Sequence, residues 1–61
     1  MKWYEFRNTE VFKNADIVYT VNKDGEEIEV PSDKLQRMKV VGWRKIGYSN
    51  MFPREIEVTV E

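Results

Sequence analysis

The side chains in this chain that could do chemistry are its carboxylates. Eleven Asp and Glu stand against ten Lys and Arg, and the chain has no histidine and no cysteine. Those absences exclude an imidazole base, a thiol nucleophile, a disulfide and a zinc centre of the usual nitrogen and sulfur ligands. Two carboxylates are enough for glycoside hydrolysis, provided they face each other across a cleft. Glu27 and Glu29, like Glu55, Glu57 and Glu61, instead alternate with apolar residues, which assigns them to the solvated faces of strands. A chain of 61 residues also has little room for a substrate cleft of roughly 300 Å³ or more. The composition therefore points to a protein that is not an enzyme and has no small-molecule substrate, no cofactor and no metal.

Two other patterns fail on spacing. Asn22-Lys23-Asp24-Gly25 resembles the start of a calcium loop, but with Gly25 at the sixth position, Thr20 stands first and Pro31 stands where a bidentate Glu is required. A hairpin turn is the better reading. Gly42 and Gly47 belong to no phosphate-binding glycine pattern.

Charge order is more informative than charge sum. Between residues 34 and 54 there are six basic side chains, Lys34, Arg37, Lys39, Arg44, Lys45 and Arg54, and no acidic one. The rest of the chain carries four basic against eleven acidic residues, so a net charge of -1 conceals a +6 window and a −7 remainder. Trp43, Tyr48 and Phe52 interleave with the basic residues. Phosphate contacts combined with aromatic stacking are the means of single-stranded nucleic-acid binding, and Arg37, Trp43, Arg44, Lys45, Tyr48 and Arg54 are its candidate contacts. Against that stand a sequence pI of 5.4 and the chance that acidic neighbouring strands neutralise the basic one.

A protein surface is the favoured alternative. Eight aromatics and three methionines exceed what so small a core can hide. Exposed aromatic and Met side chains beside Arg are what interface centres favour. The segment holding Tyr48, Met51, Phe52 and Arg54 is the first candidate interface. The expected function is thus an accessory, inhibitory or assembly role through a protein partner or homo-oligomer, with nucleic-acid binding as the competing class.

The elements that must position these residues are mostly strands. Eight Val and four Ile against one Leu and one Ala suit a pleated, half-buried surface. Lys2 to Arg7 alternates and reads as a first strand, and Glu10 to Asp16 reads as a loop or short edge strand. Ile17 to Asn22 and Glu26 to Val30 flank Asp24-Gly25, which predicts a two-residue type I′ hairpin with Val21 opposite Ile28 and Tyr19 opposite Val30. Ser32 is the expected N-cap of a short helix whose stripe is Leu35, Met38 and Val41 and whose stop is Gly42. Trp43 to Tyr48 and Glu55 to Glu61 complete the strands, with Ile56, Val58 and Val60 on one face. The sum is a single domain over residues 1–61 of α+β, mostly β class. Its small antiparallel sheet has four to five strands, or closes to a partly open barrel, with one short helix.

Asp24 to Pro31, continued through Gly42-Trp43, resembles the hairpin, short helix and glycine-tryptophan ending of small bacteriophage-type proteins. The resemblance covers about a third of the chain, carries no site residue, and implies an accessory or structural viral protein. No apolar run of signal-peptide length follows Met1, and none approaches a membrane span. The expected location is therefore cytoplasmic or virion-associated, not secreted by a signal peptide, with no membrane partner.

Overall fold

The computed structural model describes residues 1–46 and 54–61. Its element order is α1 (Trp3–Phe6), α2 (Glu10–Lys13), β1 (Ile17–Val21), α3 (Ser32–Leu35), β2 (Val40–Ile46) and β3 (Glu55–Val60). The three strands form one mixed sheet in the order β1-β3-β2, with β3 parallel to β1 and antiparallel to β2. The α+β, strand-dominated class stands. The sheet has three strands among the described residues, not four to five, and one parallel pair, so it is neither wholly antiparallel nor a barrel.

Central placement of β3 follows from its residues. Ile56, Val58 and Val60 recur with period two and are all buried, Val58 completely at 0 % exposure. A strand in the middle has both edges paired, and its branched side chains pack against neighbours on each side. Val18 and Thr20 of β1 stand in register with Ile56 and Val58, and Val40 of β2 with Val60, so one apolar face is assembled from three strands. The helices cover that face: Trp3, Phe6, Val40, Ile56, Val58 and Val60 form the core, with Val11, Phe12, Ala15, Val18, Ile28, Leu35 and Met38 packed around it.

That requirement turns the expected first strand into a helix. As a strand, Lys2 to Arg7 would place Trp3 and Phe6 on opposite faces. As a single helical turn it places them three apart on the same side, buried together, and Tyr4 is turned out to 54 % exposure. Glu5 Oε1 accepts the Lys2 backbone N–H at 2.9 Å, satisfying one donor at the helix start. Thr9 links the next turn: its Oγ1 donates to the Phe6 carbonyl at 2.7 Å and accepts the Phe12 N–H at 3.4 Å. Glu10 to Lys13 is accordingly helical, and the adjacent Val11-Phe12 pair is no obstacle to it. Phe12 meets Trp3 and Phe6 edge-on, with ring centroids 5.8 and 6.1 Å away.

The hairpin forms one residue out of the expected register. Asn22 Oδ1 accepts the N–H of both Asp24 and Glu26 at 3.0 Å, so Lys23, Asp24 and Gly25 make a three-residue loop. Gly25 alone takes a positive φ, 84°, whereas a type I′ turn would require it of Asp24 too. Val21 therefore bridges Glu27, and Ile28 donates to the Thr20 carbonyl and packs on the core side. Past that bond Glu29 and Val30 leave the sheet, so the second arm is not a strand.

The expected helix also ends early. Ser32 is already helical, Pro31 precedes it as the cap residue, and α3 stops at Leu35. Val40 is buried beside Val60 only if the chain has become extended by then, and branched residues favour that choice. Gly42 lies within β2 next to a bulge rather than stopping a helix.

Val58→Ala removes two methyl groups from the completely buried centre of the sheet. The expected cost is about 2–3 kcal/mol, read as a lower urea midpoint with an unchanged slope.

Candidate protein-binding groove at the sheet edge

Because β2 lies at the edge of the sheet, one side of its backbone depends on whatever else comes near. Its first residues are covered by the N-terminus. Val40 N–H donates to the Met1 carbonyl at 2.7 Å, Trp3 N–H donates to the Met38 carbonyl at 2.9 Å, and Lys2 bridges Lys39. Among the described residues, no such bond reaches the outer edge from Val41 to Ile46. Lys39 and Glu61 exchange both backbone bonds, at 3.0 and 2.9 Å, which sets the alternation along β3. Carried past the bulge, it pairs Arg44 with Glu57 and Ile46 with Glu55, and turns the main-chain groups of Trp43 and Lys45 outward.

The side chains beside this edge are apolar. Trp43 stands in register with Val58, on the core side of the sheet, yet the short helices do not reach over it. Trp43 is 44 % exposed, Val41 53 % and Met1 58 %. Together with Phe6, Val11 and Val40 they line an open groove of about 260 Å³. The volume is below the usual range for small-molecule pockets, and the groove is open to solvent rather than enclosed, which suits a side chain presented by another surface.

The basic window is divided by the fold. Arg44 Nε lies 3.0 Å from Glu57 Oε1, its register partner on β3, and Lys39 lies 3.8 Å from Glu61, which also binds Lys23. Arg37 is exposed and its carbonyl accepts from Lys2 Nζ at 3.1 Å. Lys45 is exposed on β2 opposite Ile56. Arg54 sits at the other end: its N–H donates to Asp16 Oδ2 at 2.7 Å, and its carbonyl accepts from Asp16 and Ile17. The structure thus brings Trp43, Arg44 and Lys45 together on one strand and leaves Arg37 and Arg54 elsewhere. Tyr48, Met51 and Phe52 lie outside the described residues.

Met1 and Val41 also belong to the groove. Val41 lies in β2, not on the helix stripe expected of it. Its exposure depends on the bulge between Val40 and Gly42, and a Val-Val-Gly run at the start of a strand is the only local hint of it.

The opposite, acidic part of the sheet holds the Tyr19 hydroxyl, which donates to Glu55 Oε1 at 3.4 Å. The Glu55 carboxylate pushes the Tyr19 phenol above its ordinary value, with desolvation, the hydrogen bond and Glu27 adding to the effect. At the far end of β3, the hydrogen bond from Lys23 holds the Glu61 carboxyl below its ordinary 4.5, against an opposing desolvation and with the charges of Lys23 and Lys39 adding to the lowering. Comparison with protein families, with curated proteins and with solved structures finds no match for this chain. Of the elements behind the resemblance to bacteriophage-type proteins, the Gly25 turn and a one-turn helix are formed, while Gly42-Trp43 lies inside β2.

A carboxyl with a lowered pKa stabilises the fold above its ordinary value and loses that contribution as pH falls through the lowered one. Urea midpoints followed from about pH 5 downward should fall less steeply for Glu61→Gln than for the natural chain. Equal slopes would remove the link between Glu61 and acid stability.

Proposed function

We propose that this chain is a non-enzymatic protein-binding module that works as an accessory or assembly component, with the β2 edge and its groove as the contact. The observation that carries the reading is Trp43, half-exposed between Met1 and Val41 on a strand whose outer backbone groups are unpaired from Val41 to Ile46 among the described residues. Edge pairing supplies main-chain bonds and a neighbouring pocket selects the side chain, the combination used in strand addition to a sheet. A large aromatic at the middle of such a surface is the residue type that dominates binding energy.

A second reading, single-stranded nucleic-acid binding, is favoured by the exposed Trp43 beside Arg44 and Lys45. The ion pairs of Arg44 and Lys39 weaken it, because those cations are already partly neutralised within the sheet.

The test is Trp43→Ser. The side chain is half-exposed, so circular dichroism and the urea midpoint should change little, while proteins captured from the native host by the natural chain are lost. Labelled single-stranded DNA should bind neither form at low salt. Capture unaffected by Trp43→Ser would remove the groove as the contact, and salt-sensitive DNA binding would favour the second reading.

A further inference from the structure

The two edges of the sheet carry opposite charge. On the β1 side, residues 22–30 hold Asp24, Glu26, Glu27 and Glu29, all exposed, against one cation, Lys23, which is bound to Glu61. On the β2 side, Lys39 stands just before the strand and Arg44 and Lys45 within it, and residues 39–46 hold no acid.

Both edges also present backbone. Asn22 N–H donates to the Glu26 carbonyl and Ile28 N–H to the Thr20 carbonyl, so the Val21–Glu27 bridge is the type whose own amide groups point away from each other. The Glu27 N–H and C=O therefore face outward, and Glu29 lies past the end of that ladder. On β2 the outward groups are those of Trp43 and Lys45.

We infer that the occupant of the β2 edge is a second copy of this chain, which docks its acidic arm, Glu26 to Val30, head to tail. The inference rests on the reading of the groove as a protein contact and names its partner. In an antiparallel docking the outward groups of Glu27 meet those of Lys45, so the Glu27 carboxylate lies beside the Lys45 side chain, which has only Ile56 opposite it within the sheet. Pairing of β2 with its own copy in a two-fold dimer would instead bring two basic strands together, and like charges on facing strands repel. A head-to-tail contact leaves one basic and one acidic edge free on every open product, so association continues to closed rings or to filaments rather than stopping at a dimer.

The experiment is sedimentation of the full chain over a concentration series at low and at about 1 M salt, where screening shortens electrostatic reach to roughly 3 Å. The natural chain should form species beyond a dimer at low salt and dissociate at high salt. Lys45→Glu alone and Glu27→Lys alone should each weaken association by about tenfold or more, while Lys34→Glu, with the same charge change away from the edge, should not. Mixed in equal amounts, the Lys45→Glu and Glu27→Lys chains should associate again, because each offers the edge that the other lacks. A natural chain that stays monomeric at high concentration overturns the inference, and the groove reading then stands or falls on Trp43→Ser alone. Association that persists in both charge variants, or that ends at a dimer, or a mixture that fails to reassociate, also overturns it.

Discussion

Everything in this fold depends on a single apolar surface, the face of β3 formed by Ile56, Val58 and Val60. A three-stranded sheet is hydrophobic on that face and, among the described residues, has no second sheet to lay against it. The cover comes instead, among the described residues, from three helices of one turn each, too short to be stable alone: Trp3, Phe6 and Phe12 hold the first two by packing onto the sheet and against one another, and Leu35 packs the third against the core. In a chain of this size, about 60 % of the unfolded surface is buried on folding, and the large aromatics supply much of it.

The same economy explains where the molecule is open. Helices of four residues span only about 6 Å each, enough to cover β3 and the first residue of β2. Trp43 and Lys45 lie on the covered side of the sheet but beyond the cover. An aromatic at this position gives the groove its character, and the charge next to it comes from a strand whose cations are only partly matched by β3. Arg44 finds Glu57, whereas Lys45 faces Ile56. The near neutrality of the chain is thus partly resolved in space: some of the charge is paired across the sheet, while Lys45 and the acids of residues 24–29 stand at opposite edges.

Edge strands invite pairing, and both edges here carry charge rather than a flat apolar ribbon. The acidic arm bends away from β1 after Ile28, and the basic strand is capped at one end by Met1 to Trp3. Like charges facing each other across a new strand pair would repel, so such an arrangement disfavours pairing of like edges.

The sequence alone determined the chemistry this chain lacks, since a missing His or Cys cannot be supplied by folding. It also determined β3, β1 and the Gly25 turn, where alternation or a positive φ is written into consecutive residues. Legibility stopped where an element is four residues long. Lys2 to Arg7 satisfies a strand pattern and a one-turn helix equally well, and only the sheet face, waiting for Trp3 and Phe6 on one side, separates the two. The hairpin register turned on one Asn22 side chain that accepts two backbone N–H groups. The end of α3 turned on Val40 finding Val60, twenty residues away. The candidate groove was half legible for the same reason: Trp43 and its basic neighbours are visible in the sequence, but exposure is set by how far the helices reach. Local pattern states what a segment can be, and in a domain this small the long-range contacts decide what it is, because no short segment has enough contacts of its own.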